Sequence, residues 1–403
     1  MNSPHPRPHR GLHAAFLSIS LLLTAGLTAC TTPQPVASTT VQSFDQAASQ
    51  AADGLATQLH TLPAFLEALT PRRTVMVDPM IDAGSGERSL ATQRLQSRVV
   101  ERLTATHGDV VELVPFDSAR ATKASYVLTG TTTRQVGVPN SALTINLALT
   151  DLASGKVVAQ SSARAHSSGV DGTPLALSQD SPVLAQDKVL EGYARTSATP
   201  PGQPADADYL SRVGVAPLIE KASADYNAGR YAEALAGFEA AAAAPGGDQL
   251  RVLSGRYLAL ARLGRSAEAE QAFRAIVVYG VKNRQLSVKF LFTPNTTDFW
   301  RDPVVSGPYT MWLGEIAQVG SGAQACMNIV GHTSRTGTEA YNDELSLQRA
   351  AVIREKLAVL SPAWGQRNTT SGRGFRDNLI GTGTDDAVDA LDRRVEFKIV
   401  DCG

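Results

Sequence analysis

One stretch constrains the fold more than any other: an apolar strand, a turn of small residues and a long helix follow one another between residues 325 and 360. The strand segment ACMNIV alternates, which places three apolar side chains on one face: Ala325, Met327 and Ile329. The helix NDELSLQRAAVIREKLAVL carries one apolar stripe, formed by Ala350, Ile353, Leu357 and Leu360. A strand joined to such a helix must bury that stripe against a sheet, so this part of the chain is predicted to be α/β.

The same alternation of strands and helices continues on both sides of this stretch. SVKFLF alternates as a strand, GPYTMWLGEIAQVG has helical spacing, and RRVEFKIV forms a closing strand. Gly372, Gly374, Gly381 and Gly383 mark a loop before that last strand. We predict a β-α-β-α-loop-β domain over residues 284–403, with Asn342 as the N-cap of its second helix.

Two cysteines lie at the ends of strands in this domain. Cys326 starts one strand and Cys402 follows another, and each lies on the side opposite the apolar residues. Antiparallel neighbouring strands would bring these two ends together, so we predict a disulfide between them. Two free thiols are the alternative, because the sequence does not give the Cα separation that a bridge needs.

The chain begins with the features of an export signal. Arg7 and Arg10 precede an apolar run that is short for a spanning helix and that ends in LTAC, with the cysteine at position 30. LTAC resembles the lipobox of bacterial lipoproteins, which implies removal of residues 1–29 and acylation of Cys30 with fatty acids such as palmitate. Thr31 follows in place of an aspartate, which in those lipoproteins implies an outer-membrane lipid anchor facing the periplasm. The alternative is an ordinary signal peptide with a chance cysteine.

Composition defines the next segment and excludes one class of partner. Residues 30–58 are rich in Thr, Ser, Pro, Gln and Ala, so we predict a flexible tether. Loss of residues 1–29 removes two arginines and no acid, which leaves 35 basic and 38 acidic side chains. This near balance gives no electrostatic footprint for a nucleic acid, and we expect no such partner.

Residues 59–166 alternate between β-branched runs and one helical segment. RTVMVDPM and DVVELVPF flank the helix SLATQRLQSRVVERLTATHG, and a strand and a hairpin with a turn at 151–155 follow. This order predicts a small α/β sandwich. YVLTGT (126–131) and INLALTDLASGKVV (145–158) resemble the periplasmic domain of TolB amino-terminal regions, FlgO and CsgG, which implies protein docking without catalysis. Residues 167–208 are poorly periodic and are predicted to be a linker, with a short helix near 187–193 that packs back on this domain.

Residues 209–283 contain an internal repeat. GRYAEALAGF, which starts at Gly229, returns as GRSAEAEQAF, which starts at Gly264, thirty-five residues later. The period and the Gly, Ala and Phe spacing resemble tetratricopeptide (TPR) helical hairpins, which implies either a helical spacer or a peptide-binding groove. The fold class is therefore multidomain, with α/β and all-α parts.

The last domain has the closest resemblance to a known family. GHTS, YNDELSLQRA and DRRVEFKI are similar to motifs of the OmpA carboxy-terminal domain, also found in Pal and flagellar stator proteins. Members bind peptidoglycan non-covalently through the diaminopimelate of its stem peptide. Carried over by position, the resemblance implies a binding site formed by Thr333, Ser334, Asn342, Arg349 and Arg393. A guanidinium fork matches a carboxylate, and amides at a turn and a helix start add donors.

Two positions depart from the family pattern. The family aspartate that ends GHTD is Ser334 here, and the asparagine of NRR is Asp392. A serine cannot form a charge-assisted bond to an ammonium, worth about 1.5–3 kcal/mol, so we expect binding weakened roughly ten- to a hundredfold unless Asp392 or another acid supplies the charge. On this basis Arg349→Ala should lower binding and Ser334→Asp should raise it.

Alternative roles remain open for these side chains. Arg349 could be structural and paired with Asp343 or Glu344. Arg393 is a better ligand candidate than Arg394, because neighbours on a strand point to opposite faces. His332 is expected to order the turn, since no second histidine or cysteine stands at metal-ligand spacing. We predict no metal and no cofactor.

The motifs indicate binding and not catalysis. The chain has no HExxH, no P-loop lysine, no GxSxG elbow and no CxxC pair, so we do not expect an enzyme. The first hypothesis is an outer-membrane lipoprotein that links the envelope to the cell wall. The alternative is a regulatory scaffold that docks a periplasmic protein machine, such as a wall synthase, a secretion apparatus or a flagellar apparatus, with weak or lost peptidoglycan binding.

Overall fold

The computed structural model describes most of the chain beyond its amino-terminal segment. The described residues are 36–59, 72–114, 116, 124–134, 142–184, 187–380, 383, 385 and 388–402. The predicted export signal and the predicted acylation of Cys30 lie outside them.

The first sheet contains seven strands of the described chain. They are β1 Val36–Gln42, β2 Arg73–Val77, β3 Ile81–Asp82, β4 Val111–Val114, β5 Tyr126–Arg134, β6 Leu143–Asp151 and β7 Lys156–Ala165. Their order is β1-β7-β6-β5-β2-β4, and β3 pairs with β5. Helices α1 (Phe44–Thr57) and α2 (Leu90–His107) contribute buried residues to the core of this sheet. The predicted strands, helix and hairpin of residues 59–166 are present.

The prediction of a flexible tether over residues 30–58 is wrong for residues 36–58. Strand β1 pairs in parallel with β7, and helix α1 follows it directly. The apolar residues of α1 are mostly small and recur at helical spacing on a fully buried face: Ala47, Ala48, Ala51, Ala52 and Leu55. Small side chains let the helix lie close to the sheet, so a segment poor in large apolar residues still buries its face.

The predicted linker, 167–208, is also folded. It contains helices α3 (Ala176–Asp180), α4 (Lys188–Ser197) and α5 (Ala207–Leu210). The Tyr193 hydroxyl accepts a hydrogen bond from the Gly130 amide at 2.9 Å. The Tyr209 hydroxyl donates to the Asp78 carboxylate at 2.7 Å. These buried tyrosines attach the segment to the first sheet, which confirms that the short helix near 187–193 packs back on that domain.

Residues 209–283 form two helical hairpins. The helices are α6 Ala216–Asn227, α7 Tyr231–Ala243, α8 Leu250–Arg262 and α9 Ser266–Lys282. Gly229 and Gly264 have φ angles of +76° and +71° between the helices of each hairpin, a conformation that favours glycine. Phe238 and Phe273 are fully buried. The hairpins are where the repeat predicts them, and their assignment to the TPR family stays a prediction.

The last sheet has the order β10-β9-β11-β8. Its strands are β8 Phe290–Leu291, β9 Cys326–Gly331, β10 Thr369–Gly372 and β11 Arg394–Val400. The helices of this region are α10 Pro303–Ser306, α11 Tyr309–Gly322, α12 Glu339–Leu360 and α13 Pro362–Gly365. The region predicted as a glycine loop starts with a strand. Gly372 is the last residue of β10, which pairs in parallel with β9.

Two expectations about this sheet can be compared with the structure. Cys326 and Cys402 form a disulfide with a Cα–Cα distance of 5.3 Å, because β11 runs antiparallel to β9 and pairs Val400 with Cys326. The predicted bridge is confirmed. Asn342, in contrast, is not the N-cap of its helix. Helix α12 begins three residues earlier, and Thr338 caps it by accepting a hydrogen bond from the Tyr341 amide at 3.3 Å.

The predicted separate domains share contacts and a core. One hydrophobic cluster includes both the helical hairpins and the last sheet, and Phe273 of α9 stacks on Trp312 of α11 with ring centroids 5.1 Å apart. Glu87 forms a buried ion pair with Lys289 at 3.1 Å, which joins the first block to the last. The described residues all belong to one compact unit, 33–403.

Candidate functional site

The turn after strand β9 lies close to helix α12. A Cβ atom added to Gly331 would lie 1.8 Å from the carbonyl oxygen of Ser346, so only glycine fits at this position. The next three residues, His332, Thr333 and Ser334, are all buried. The small residues of GHTS therefore allow the turn to pack against the helix start.

Ser334 contacts a carboxylate from a distant part of the chain. Its hydroxyl donates a hydrogen bond to Asp385, and the Thr336 hydroxyl donates to the same carboxylate at 2.5 Å. A guanidinium nitrogen of Arg393 lies 3.1 Å from Asp385. Ser334, Thr336, Asp385 and Arg393 together are called the Asp385 site below.

The Asp385 carboxylate is ionised and partly open. Burial alone would raise its pKa, but the hydrogen bonds from Ser334 and Thr336 and the charge of Arg393 outweigh burial, so the pKa is lowered. Its side chain is 20% exposed. A carboxylate has about four lone-pair positions, and three donors among the described residues occupy this one, which leaves an acceptor position for a cationic ligand within that part of the chain.

Of the two neighbouring arginines, only Arg393 belongs to this site. It is fully buried, donates to the Phe292 carbonyl at 3.2 Å and lies 5.2 Å from the centroid of the Trp300 ring. Arg394 points elsewhere and contacts Glu396 and the carbonyl of Asp377. The two side chains therefore point to different sides, as expected. Arg393 pairs with Asp385, and its contact with a ligand stays a prediction.

Arg349 has a structural role. It is fully buried, and its guanidinium donates to the carbonyls of Thr293, Thr296 and His332 at 2.9 Å, 2.9 Å and 3.1 Å. Burial and the nearby charge of Arg393 lower its pKa to about 10. These bonds attach the loop at 293–296 to the turn, and contact of Arg349 with a ligand carboxylate stays a prediction. Neither acid considered as its partner is bonded to it. Asp343 pairs with Arg376, and Glu344 accepts a hydrogen bond from Gln348.

Asn342 and Thr333 support the turn from inside. The Asn342 side-chain amide donates to the carbonyls of Thr336 and Thr338 at 2.7 Å and 2.9 Å. The Thr333 amide donates to the Gly374 carbonyl at 2.9 Å, and its buried hydroxyl has no hydrogen-bond partner among the described residues. Both residues lie at the predicted site. Contact with a ligand stays a prediction for each.

Asp392 does not supply the acid missing at position 334. It is fully buried, and its carboxylate accepts hydrogen bonds from the backbone amides of Leu379 and Ile380 and from the Asn378 side chain. Asp392 therefore fixes the loop at 378–380. Asp385, from the glycine-rich segment, occupies the position next to Ser334.

His332 orders the turn from the opposite side. Its Nε2 lies 3.0 Å from a carboxylate oxygen of Glu396 on β11. Burial and the charge of Arg394 lower the pKa of His332, which favours the neutral ring. Within the described ranges, no group of three or more His, Cys, Asp or Glu side chains is arranged to hold a metal ion.

Sequence reasoning missed two residues of this region, Asp385 and Arg335. Arg335 follows Ser334 directly, and its guanidinium lies 5.4 Å from the centroid of the Phe375 ring. Among the described residues, no carboxylate forms an ion pair with Arg335. Arg335 could have been found from its position directly after the GHTS motif. No sequence pattern around Asp385 predicts its contact with Ser334.

The chain is similar in structure to several solved proteins over less than a third of its length. The peptidoglycan-associated lipoprotein from Burkholderia pseudomallei is 24% identical; the match covers 28% of this chain and 89% of that one, with a TM-score of 0.24. The cell wall anchor of the T6SS from Pseudomonas aeruginosa is 24% identical, with coverages of 27% and 73% and a TM-score of 0.22. The OmpA-like domain of FopA1 from Francisella tularensis is 17% identical, with coverages of 29% and 75% and a TM-score of 0.22.

No protein-family model matches this chain, and no curated protein matches it either. The structural similarities have low identity and TM-scores below 0.5, so they assign no function to this chain. Within the described part of the chain, no helix combines the length and the apolar character needed to cross a bilayer.

Proposed function

We propose that this protein binds peptidoglycan non-covalently through residues 284–403, at the Asp385 site. The observation that carries this function is the hydrogen bond from Ser334 to Asp385. It brings a carboxylate to the position where the OmpA-like motif has an aspartate, so the expected loss of charge at position 334 is compensated from another loop.

The ligand that fits best is the diaminopimelate of the stem peptide, a zwitterion with an ammonium and free carboxylates. Its ammonium matches the remaining acceptor position of Asp385. Its carboxylate matches a guanidinium, and Arg335, which follows Ser334 directly, is available because it has no acid partner among the described residues. Arg349 is already bonded to three carbonyls and acts as the support of the turn.

The wider role follows from the resemblance of LTAC to a lipobox. Acylated Cys30 would hold the chain in the outer membrane, and the Asp385 site would hold the cell wall, so the protein would link the two layers. A periplasmic protein partner for the first sheet and the hairpins stays a prediction.

Co-sedimentation of the purified full chain with sacculi tests the wall-binding function. Asp385→Asn removes the charge but keeps the shape, and Arg335→Gln does the same for the cation. Loss of one charge-assisted hydrogen bond corresponds to about ten- to a hundredfold weaker binding, and we expect this for each change. Asp109→Asn and Arg354→Gln alter exposed side chains outside the site and should bind as the unchanged chain does.

Competition identifies the ligand in the same assay. Free meso-diaminopimelate should release the chain from sacculi, whereas Nα-acetyl-lysine amide should not, because it has an ammonium but no free carboxylate. Binding that is unchanged in both Asp385→Asn and Arg335→Gln would exclude this site.

A further inference from the structure

A cavity of about 640 Å³ lies beside the Asp385 site and has no role in the interactions described above. This volume is within the range of about 300–1,000 Å³ typical of ligand pockets. Trp300, Pro294 and Leu391 supply apolar walls. Pro174 and Gln179, in the segment that the sequence predicts to be a linker, form part of the remaining wall.

Two fully buried arginines lie between the cavity and the Asp385 site. Thr293 lines the cavity, and its carbonyl accepts the hydrogen bond from Arg349 beneath the turn. Trp300 also lines the cavity, and Arg393 of the Asp385 site lies 5.2 Å from its ring centroid. The cavity is therefore separated from Asp385 by the Arg393 side chain, which pairs with Asp385 and lies against Trp300.

Polar groups with free hydrogen-bonding capacity lie among these apolar walls. Arg301 and Gln179 are exposed, and neither side chain has a hydrogen-bond or ion-pair partner in the described part of the chain. The indole Nε1–H of half-buried Trp300 likewise has no acceptor among the described residues. This N–H is therefore free to donate to a ligand.

From these observations we infer that the cavity is a subsite for an N-acetylated sugar of the peptidoglycan glycan strand. Such a sugar has an apolar face of C–H groups and an acetamido methyl, which suit Trp300 and Pro294. Its hydroxyls and acetamido oxygen suit Arg301, Gln179 and the indole N–H. A purely apolar ligand would leave the three polar groups unused, and a purely charged one would leave the apolar walls uncovered.

The covalent structure of peptidoglycan supports the same assignment. Two amino-acid residues separate diaminopimelate from the sugar that carries the stem peptide. At about 3.3–3.6 Å per extended residue, the sugar lies on the order of 10 Å from the amino acid held at Asp385. Arg393 lies 5.2 Å from the Trp300 ring centroid and 3.1 Å from Asp385, so a sugar at this distance can reach the cavity, an inference that rests on the proposed function.

Titration calorimetry on the purified full chain separates the two sites. One ligand is the stem tripeptide that ends in diaminopimelate, and the other is the same tripeptide attached to its disaccharide. We expect the unchanged chain to bind the disaccharide form roughly tenfold more tightly, which corresponds to about 1.4 kcal/mol. A variant with Arg301→Ala and Gln179→Ala should lose most of this difference and keep its affinity for the tripeptide.

These two changes lie on the rim and do not touch Arg393, so the Asp385 site is left intact; Arg354→Ala is the matched control. Trp300→Phe, which keeps a ring beside Arg393 but removes the indole N–H, should lose part of the difference. The sugar subsite is overturned if the disaccharide form binds no more tightly than the tripeptide, or if its higher affinity survives the double change. Binding of the disaccharide form alone, dependent on Arg301, supports the subsite and overturns the diaminopimelate site. Binding of neither ligand overturns both.

Discussion

The hydroxyl of Ser334 donates a hydrogen bond to the carboxylate of Asp385, fifty-one residues further along the chain. In the proposed site, the two residues together take the place of the single aspartate in the motif that this turn resembles. The acid is moved from the turn to the facing loop, and a small neutral residue remains where the acid would otherwise stand.

Ser334→Asp should weaken wall binding. The sequence alone predicts a gain, but the new carboxylate would face Asp385, and two neighbouring carboxylates raise the pKa of at least one of them. The hydrogen bond from Ser334 is lost at the same time. Sacculus co-sedimentation at pH 7 measures the effect, with Ser334→Asn as the neutral control that can still donate to Asp385. Tighter binding by Ser334→Asp would mean that Asp385 does not act as the acid.

Arg349→Ala should destabilise the protein before it affects a ligand. Three buried carbonyl oxygens would lose their donor, and a cavity would replace the side chain, at a cost of roughly 3–5 kcal/mol. Urea denaturation measures the free energy of unfolding. Arg354→Ala, an exposed arginine on the same helix, should change it by less than about 0.5 kcal/mol. Near-normal stability with lost sacculus binding would instead give Arg349 a direct role at the ligand.

Asp78→Asn should remove part of the pH dependence of stability. Burial raises the pKa of Asp78 to about 6, so the folded state holds a proton that the unfolded state releases near pH 4. The unchanged protein therefore loses stability as pH rises from about 4 to about 6, by about 3 kcal/mol from this group. Asparagine can still accept the hydrogen bond from Tyr209.

We expect Asp78→Asn to gain stability over the unchanged protein across that same range, as measured by denaturation at several pH values. The control Asp109→Asn alters an exposed carboxylate, and its difference from the unchanged protein should not vary between pH 4 and 6. A constant difference for Asp78→Asn as well would show that Asp78 is ionised throughout.

Removal of the disulfide should lower stability without removing the fold. The bridge between Cys326 and Cys402 spans a sequence separation of 76 residues. Cys326→Ala combined with Cys402→Ser should lower the free energy of unfolding by about 2–4 kcal/mol in non-reducing buffer. Dithiothreitol should bring the unchanged protein to the same value and leave the double variant unaffected. Equal stabilities in non-reducing buffer would show that the bridge adds nothing.

Lys289→Met should test the buried ion pair between the first and last blocks. It leaves Glu87 buried without its cation, and loss of one partner of such a pair costs roughly 3–5 kcal/mol. Adding Glu87→Leu removes the second charge and should recover most of this loss. Denaturation of both variants measures the difference; a double variant as unstable as the single one would contradict the pairing.

The periodic parts of the fold could be predicted from the sequence, because the apolar stripe of Ile353 and Leu357 is a local pattern. The packing of residues 36–58 could not, since alanines at 47, 48, 51 and 52 give little hydrophobic signal although they are fully buried. Positions within the GHTS motif located the turn. The roles of Arg349 and Asp385 depend on backbone carbonyls and on a distant loop, and no local pattern contains that information.

The stacked pair Phe273 and Trp312 has a practical consequence for any dissection of this chain. A fragment cut between the helical hairpins and the last sheet would leave the Trp312 ring facing water on the side that Phe273 now covers. Such a fragment would expose an aromatic surface. It would then adsorb non-specifically to sacculi, or aggregate, for reasons unrelated to Asp385. Wall affinity measured on the isolated carboxy-terminal piece would therefore not represent the intact molecule.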